Sequence, residues 1–218
     1  MRTSLNLLLC VATPFEAYLL RHHLGHNDGI RIIETGVGLV NAAHGVTLAV
    51  AQTRPDMIVS CGIGGAYPSS GLRAGDVACA DEEIYGDLGA QSTSGFLDMR
   101  AMGFPVVEGP PPLFNELPLQ IFPTESRARF ITVSTCTGTD ESARELEMRL
   151  NGAVESMEGA AIVHVAHLHG IPVGEVRGIS NLVGNRDRQS WRLKEAAEAA
   201  QLAVINWVAN VELNTSRP

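Results

Sequence analysis

Residues 154–188, VESMEGAAIVHVAHLHGIPVGEVRGISNLVGNRDR, contain the features from which we predict the fold. The stretch opens with Glu155, Ser156 and Glu158, which suit the positive end of a helix, and the apolar residues that follow have the spacing of one helix face. A glycine and a proline end this helix, and residues 173–179 then have the composition of a buried strand. A helix that leads into a buried strand is typical of an α/β protein.

Polar side chains gather at the end of this strand. Glu175 and Arg177 are two residues apart and therefore lie on one face, and Ser180 and Asn181 follow at the carboxyl end. Open α/β sheets bind their ligands at the carboxyl ends of their strands. We therefore expect a site here that combines acids, an arginine and a carboxamide.

Strands and helices alternate along most of the chain. The first apolar run is nearly continuous, as expected for a strand covered on both faces of a parallel sheet. We predict an α/β fold with a central, mostly parallel twisted sheet flanked by helices, in a single domain spanning residues 1–218. Further strands are predicted at residues 5–12, 31–34, 57–61, 76–80 and 130–135, and further helices from Pro14 and at residues 40–51, 140–150 and 193–213.

Composition and charge limit the class of protein. With 45% hydrophobic and 18% charged residues the chain is typical of a soluble globular protein, and no apolar run approaches the roughly 20 residues of a membrane span. Residues 5–12 are also compatible with a signal-peptide core, but we interpret them as the first strand. A net charge of -8 without runs of Lys or Arg argues against nucleic acid as a partner. The cysteines lack paired spacing, which favours reduced thiols in the cytoplasm: Cys10, Cys61, Cys79 and Cys136.

Glu16 lies just beyond the first predicted strand, in the first turn of the helix that begins at Pro14. An acid in that turn stabilises the helix dipole. The same position would also direct a carboxylate into a cleft at the carboxyl end of the sheet. The residue alone does not separate these two interpretations.

Two glycine-rich segments follow predicted strands. Gly36-Val37-Gly38 and Gly62-Ile63-Gly64-Gly65 both lack the last glycine of a dinucleotide-binding fingerprint, where Asn41 and Tyr67 stand. Glycines permit either tight turns or a close approach of backbone N–H groups to a ligand. The glycines of the second segment are therefore candidate substrate-binding positions.

Other polar clusters give no signature of a metal or a cofactor, and none is predicted. Residues 81–87 are acidic but lack the spacing of a known metal site, so we predict a solvated loop or an interface. His164, His167 and His169 have no further strong ligand beside them and are interpreted as surface or core histidines. Residues 86–129 show too little periodicity to be assigned.

Two motifs resemble a known superfamily. Met157-Glu158-Gly159-Ala160-Ala161 and Arg177-Gly178-Ile179-Ser180-Asn181 are similar to motifs of the purine and uridine phosphorylase superfamily, and most similar to its nucleosidase branch. Residues 12–16, the two glycine segments and Gly75-Asp76-Val77 occur in the order found there. The resemblance thus spans nearly the whole chain and implies a nucleoside phosphorylase-like fold.

The resemblance also implies roles in the cleavage of an N-glycosidic bond. Glu158 would hold the ribose 2'- and 3'-hydroxyls, and Met157 would pack on the sugar. Glu16 would be the general base that takes a proton from the attacking water. Arg177 would orient that water or fix the network of acids.

Asn181 bears on the identity of the base. Adenine-specific members of the superfamily carry Asp at this position, whereas a carboxamide can accept a hydrogen bond from N7–H and donate one to a 6-oxo group. Together with residues 63–89 and 184–188, which are similar to futalosine-cleaving members, Asn181 implies hydrolysis of futalosine to hypoxanthine and dehypoxanthine futalosine in menaquinone biosynthesis. An adenine nucleosidase, a purine nucleoside phosphorylase and a non-catalytic nucleoside-binding protein remain alternatives.

The resemblance leaves some positions open. Ser156 stands where adenine-specific members have an acid and Ile63 where they have a hydroxyl, so the sequence does not define how the water is held. One of Arg73, Arg186 and Arg188 would pair with the benzoate carboxylate of futalosine. The superfamily also implies a homo-oligomer in which a neighbouring chain completes the site.

Overall fold

The computed structural model describes residues 6–215, in which six α-helices surround the strands. The first strand was predicted to begin at residue 5, which lies outside the described residues. No helix within residues 6–215 is long and apolar enough to cross a membrane. The helices are α1 (Pro14–Leu24), α2 (Leu39–Gln52), α3 (Met99–Met102), α4 (Asp140–Leu150), α5 (Gly159–Leu168) and α6 (Leu193–Thr215).

The strands form one large sheet and a separate hairpin. The hairpin joins β5 (Gly89–Ser92) to β6 (Gly95–Asp98). The strands of the large sheet are β1 (Leu7–Val11), β2 (Ile30–Glu34), β3 (Met57–Ala66), β4 (Val77–Tyr85), β7 (Glu116–Pro118), β8 (Arg127–Thr132), β9 (Val154–Ser156) and β10 (Val173–Leu182).

The large sheet closes on itself. Strand β10 pairs with both β3 and β4, so β3, β9, β8, β4 and β10 form a five-stranded barrel, and β1 and β2 extend the sheet beyond β3. The α/β fold class is confirmed, but the sheet is only partly parallel, because β10–β4, β3–β9 and β4–β7 are antiparallel pairs. Residues 67–76, which join β3 to β4, contain no crossover helix, so β4 runs back in the direction opposite to β3.

Helices cover the sheet on both faces. Helices α1 and α6 pack together on one face, and α2 and α5 pack together on the other. The side chains of β1 alternate between the two clusters, with Leu7 and Leu9 in one and Leu8 and Cys10 in the other, and all four are completely buried. Burial on both faces explains why the first strand is almost entirely apolar.

The helix predicted to open at Glu155 begins four residues later, at Gly159. Residues Val154–Ser156 instead form β9, which pairs with β3 and with β8. The acids at this point suit a helix terminus, but the backbone groups of Glu155 complete the wall of the barrel between two strands. Closure of the barrel thus overrides the local preference for a helix.

Two other segments also differ from prediction. Strand β3 does not end at residue 61 but continues through the glycines to Ala66, because β10 pairs along its length. The acids at residues 81–87 were predicted in a solvated loop or an interface, but most of them lie in β4. There Glu83 is fully buried, and Glu82 pairs with Arg129 at 2.7 Å.

Candidate active site

A cavity of about 430 Å³ lies at the carboxyl ends of β1, β3 and β10, and is also lined by β9 and by the loop that follows β8. Most of the residues singled out in the sequence line its wall, whereas Gly62 and Arg177 lie behind that wall. The singled-out residues that line it are Glu16, Gly64, Gly65, Met157, Glu158 and Asn181. The fold thus brings together side chains that are separated by up to 165 positions, from residue 16 to residue 181.

Glu16 caps the start of α1 and also lines the cavity. Its Oε2 accepts hydrogen bonds from the backbone N–H of Thr13 at 3.1 Å and from the Thr13 hydroxyl at 2.8 Å, as in a capping box. Its Oε1 accepts one from the backbone N–H of Ile63 at 2.9 Å. Both interpretations of Glu16 therefore apply, since its helix-capping contacts hold a buried carboxylate at the cavity wall.

Arg177 is the central charge of the buried network. Its Nε donates to Glu175 Oε1 at 2.6 Å, and its Nη2 donates to the Ser60 hydroxyl at 3.3 Å. Its Nη1 lies 3.8 Å from Glu158 Oε2. Burial acts to lower the pKa of Arg177, but Glu175, Glu158 and Glu16 outweigh it and raise the pKa above the ordinary value. The guanidinium therefore remains charged and binds the acids behind the cavity wall.

Glu158 reaches the cavity from the start of α5. Its Oε1 accepts a hydrogen bond from the backbone N–H of Gly38 at 2.9 Å. Gly38 has φ 93°, a conformation that favours glycine, and this conformation directs the N–H towards the carboxylate. Burial raises the pKa of Glu158, and the contacts with Arg177 and Gly38 act in the opposite direction.

The glycines of β3 make room for side chains and do not form a turn. A Cβ on Gly62 would lie 2.3 Å from Arg177 Nη1 and 2.6 Å from Glu16 Oε1. A Cβ on Gly65 would lie 3.2 Å from Asn181 Nδ2. Gly64 and Gly65 line the cavity, whereas Gly62 permits the approach of Glu16 and Arg177.

Asn181 lies near the end of β10 with its carboxamide fixed by its neighbours. The Ser180 hydroxyl is 2.7 Å from Asn181 Oδ1, and Asn181 Nδ2 donates to the Leu182 carbonyl at 2.8 Å. A bulge in the pairing of β10 with β3 occurs at this point, between Ile179 and Asn181. Bulges redirect side chains at strand ends, and here the carboxamide lines the cavity.

The hydrogen bonds of Glu155, a further buried acid in the cavity wall, were not predicted from the sequence. Glu155 Oε2 accepts a hydrogen bond from the Tyr67 hydroxyl at 2.9 Å, and its Oε1 accepts one from the backbone N–H of Thr137 at 3.0 Å. Tyr67 and Thr137 belong to no local motif, so only the fold brings them to Glu155. Beside it, the Ser156 hydroxyl accepts from the backbone N–H of Gly159 at 3.4 Å.

The histidines of α5 have protein partners. His164 Nδ1 lies 3.0 Å from the Tyr85 hydroxyl, and its Nε2 lies 2.7 Å from the Val106 carbonyl oxygen. His167 Nε2 lies 2.8 Å from the Pro118 carbonyl oxygen. Burial lowers the pKa of His164, which favours the neutral ring. These rings tie α5 to the irregular segment that precedes β8.

The arginines considered for carboxylate binding occupy different places. Arg186 lines the cavity, with its guanidinium carbon 4.9 Å from the centre of the Trp191 ring. Arg73 lines an adjoining cavity of about 660 Å³, which shares Asn181 and Trp191 with the first. The guanidinium carbon of Arg188 is 6.0 Å from the Trp191 ring.

The chain matches one known protein family over a region that includes all the residues lining the cavity. Residues 11–209 match the family model described as the phosphorylase superfamily. The chain belongs to the phosphorylase superfamily. The resemblance drawn from the two motifs is therefore confirmed.

Curated members of the superfamily match most of the chain. The futalosine hydrolase of Streptomyces coelicolor is 38% identical over 187 residues, which cover 81% of this chain and 77% of that protein. The futalosine hydrolase of Thermus thermophilus is 33% identical over 190 residues, 83% of this chain and 82% of that protein. The 5'-methylthioadenosine/S-adenosylhomocysteine nucleosidase of Chromohalobacter salexigens is 26% identical over 194 residues, 84% of this chain and 81% of that protein.

Solved structures of the superfamily show the same fold. The 5'-methylthioadenosine/S-adenosylhomocysteine nucleosidase of Colwellia psychrerythraea, in complex with adenine, superposes with a TM-score of 0.78 at 20% identity, covering 95% of this chain and 96% of that one. The corresponding nucleosidase of Helicobacter pylori gives a TM-score of 0.80 at 14% identity and covers 96% of this chain and 100% of that one.

Proposed function

We propose that this protein is an N-glycosyl hydrolase that cleaves futalosine into hypoxanthine and dehypoxanthine futalosine, a step of menaquinone biosynthesis. Its identity is higher to relatives named futalosine hydrolase, at 38% and 33%, than to relatives named methylthioadenosine/S-adenosylhomocysteine nucleosidase, at 26% and 28%. The observation that carries the proposal is the composition of one cavity wall. It contains the buried carboxylates of Glu16 and Glu158 together with the carboxamide of Asn181.

This arrangement suits the charges that develop in the reaction. Cleavage builds positive charge on the ribose and negative charge on the departing base, so anions are needed beside the sugar and donors beside the base. Glu158 binds the ribose 2'- and 3'-hydroxyls, and Met157 packs on the sugar. Glu16 takes a proton from water as the water oxygen bonds to the anomeric carbon. The C–N bond breaks and the base takes up a proton from solvent at N7, so it leaves as neutral hypoxanthine, and Glu16 afterwards returns its proton to solvent.

Arg177 acts through the acids and not on the substrate, since it does not line the cavity. Its guanidinium lies between Glu175 and Glu158 and contributes positive charge beside Glu16. We therefore assign it the role of fixing the acid network. Gly62 also serves this network, because it leaves room for Arg177 and Glu16. Gly64 and Gly65 line the cavity and contact the bound substrate.

Asn181 recognises a 6-oxopurine. A carboxamide accepts from N7–H through its oxygen and donates to the 6-oxo group through its nitrogen, and a carboxylate lacks the donor. Both atoms of this carboxamide already have neighbours within the chain, which keep it from rotating. In this fixed orientation the carboxamide nitrogen can donate to the 6-oxo group of hypoxanthine but not to the 6-amino group of adenine.

Arg186 binds the benzoate carboxylate of futalosine. Of the arginines considered, only Arg186 lines the main cavity, and the neighbouring Trp191 offers an aromatic face to the benzoate ring. Arg186→Met should raise KM for futalosine about tenfold, the effect of one lost charged hydrogen bond, and leave KM for inosine unchanged. Arg188→Met, a matched change in the same loop, should alter neither value. Equal effects on both nucleosides would contradict this role.

Base release from three nucleosides tests the proposed function. The protein is incubated with futalosine, inosine and methylthioadenosine, each with and without phosphate, and the released base is measured by chromatography. We expect hypoxanthine from futalosine at a rate that does not depend on phosphate. Phosphate-dependent release would identify a phosphorylase, preference for methylthioadenosine an adenine nucleosidase, and binding without release a non-catalytic protein.

We further propose that the protein is a cytoplasmic homo-oligomer without a nucleic-acid partner. Phe15 and Val37 line the cavity while 47% and 50% exposed, and a second copy would cover them. All four cysteines are free thiols, as expected in the cytoplasm. Light scattering that gives the mass of one chain would contradict the oligomer.

A further inference from the structure

Two carboxylate oxygens face each other inside the barrel without a donor between them. Glu83 on β4 and Glu175 on β10 are both completely buried. Glu83 Oε1 and Glu175 Oε2 have no hydrogen-bond partner. A Cβ on Gly159 would lie 2.1 Å from the first and 2.4 Å from the second, so both oxygens border the same point. The absence of a side chain at Gly159 allows the two acids to meet there.

The outer oxygens of the two acids have partners of different charge. Glu175 Oε1 accepts from Arg177 Nε at 2.6 Å, a charged donor. Glu83 Oε2 accepts from the Thr132 hydroxyl at 2.8 Å, a neutral donor. Thr132 Oγ1 in turn accepts from the backbone N–H of Ala160 at 2.8 Å, in the first turn of α5. The guanidinium contacts Glu175 directly, so it favours the ionised form of Glu175 more strongly than that of Glu83.

Two ionised carboxylates cannot face each other in such a site, because both are acceptors and burial makes their repulsion strong. A single proton turns the unpartnered contact into a hydrogen bond. We propose that Glu83 carries this proton and donates it to Glu175 Oε2, so that the two acids form a singly charged pair that positions Arg177.

This pair connects the barrel interior to the cavity. When Glu175 Oε2 accepts the hydrogen bond from Glu83, Glu175 Oε1 stays free to accept from Arg177 Nε. This hydrogen bond fixes the orientation of the guanidinium. Its Nη1 then points towards Glu158 and lies beside Glu16. Burial and the charge of Glu175 raise the pKa of Glu83 well above its ordinary value, which agrees with a neutral acid at this place. Glu83 and Glu175 are positioning residues, since neither lines the cavity.

Infrared spectroscopy of the protein without substrate tests for the proton. At neutral pH we expect the carbonyl band of a buried protonated carboxylic acid, shifted in deuterated water and absent from Glu83→Gln. Glu82→Gln removes a neighbouring acid on the same strand and should retain the band. A wild-type protein without this band, or a Glu83→Gln protein that keeps it, would overturn the proposal.

Kinetics test the positioning role, which rests on the proposed hydrolase activity. Glu83→Met removes the donor and should lower kcat about tenfold with a smaller change in KM, as expected for the loss of a hydrogen bond to a charged group. Glu83→Gln provides an amide donor to Glu175 and should restore kcat to within about threefold of wild type. Glu175→Gln, which removes the negative charge on Arg177 Nε, should lower kcat at least as much as Glu83→Met.

Equal losses in Glu83→Met and Glu83→Gln, or no loss in either, would contradict the positioning role. If Glu83→Met does not fold, the kcat values of Glu83→Gln and Glu175→Gln test the positioning role instead. Only Glu175→Gln should then show the large loss of kcat. If the wild-type protein does not cleave futalosine, the infrared result still decides whether the proton is shared. Failure of the proposed function and failure of the shared proton are therefore separate outcomes.

Discussion

At the scale of single residues, the site uses each polar group for more than one contact. Glu16 caps α1 through Thr13 and accepts from Ile63 with its other oxygen. Its own helix and strand β3 therefore set its position, with little freedom left in the side chain. A carboxylate fixed in this way suits the proposed role of Glu16 as the base, because its geometry is kept while substrate enters and leaves.

Replacing Glu16 by Gln should lower kcat for base release by about a hundredfold or more, because the positioned base is lost while the side-chain shape is kept. KM should change little, since the ribose contacts are assigned to Glu158. Steady-state kinetics with futalosine provide the measurement. Glu145→Gln, an exposed position on α4, is the matched control and should behave as wild type. A Glu16→Gln protein with full activity would rule out this base.

Replacing Asn181 by Asp should reduce hypoxanthine release from futalosine by about tenfold or more, because the donor to the 6-oxo group is lost. The new carboxylate oxygen would also face the Leu182 carbonyl oxygen, which now accepts from Nδ2. Competition between futalosine and methylthioadenosine measures the change in preference. Asn206→Asp introduces the same charge at an exposed position of α6 and serves as the control. Unchanged hypoxanthine release would refute the role of Asn181.

At the scale of elements, local patterns predicted most strands and helices, and the misses occur where the barrel closes. Helix α4 has the predicted bounds of residues 140–150, because its cap and charges are local signals. Strand β9 pairs with β3 and β8, and the extension of β3 pairs with β10. Nothing in the sequence of β9 or of the β3 extension encodes these partners. The same reason applies to the cavity: Glu16 and Asn181 were singled out from local patterns and line it, but the contacts of Glu155 and Glu83 were not predicted.

The extension of β3 gives the element-scale prediction. Gly62→Ala should lower kcat by about a hundredfold, comparable to loss of the base, because the new Cβ would displace Glu16 and Arg177 from their contact point. Both side chains are held by other partners and cannot withdraw freely. Gly138→Ala adds a methyl group where no atom lies within 4 Å and should leave kinetics unchanged. Circular dichroism would verify that both variants fold, and a fully active Gly62→Ala would contradict the close packing.

At the scale of the whole molecule, the buried acids link stability to pH. The pKa of Glu83 is raised in the folded protein by burial and by Glu175, while Arg177 acts to lower it. Tyr85, on the same strand, is a further ionisable group, and burial raises its pKa, so it stays neutral at these pH values. The folded state therefore keeps a proton that the unfolded state releases above about pH 4.3. Each rise in pH above that value weakens the fold until Glu83 ionises in the folded state.

Glu83→Gln should remove this dependence. The difference in free energy of unfolding between the variant and the wild type should grow in favour of the variant by about 1.4 kcal/mol per pH unit above the unfolded-state pKa. Urea unfolding at about pH 6 and about pH 8 measures it. Glu82→Gln should retain the wild-type slope. Parallel dependences in wild type and Glu83→Gln would mean that Glu83 is ionised in the folded protein.

Closure of the barrel by β10 also determines when the site first exists. As the chain leaves the ribosome, β3 and β4 emerge about 100 residues before the strand that joins them, and their open edges invite pairing with other chains. Strand β10 carries Glu175, Arg177 and Asn181, so the step that pairs these edges also brings in these polar side chains. Nascent chains that stop before residue 173 should therefore need chaperones and bind no nucleoside.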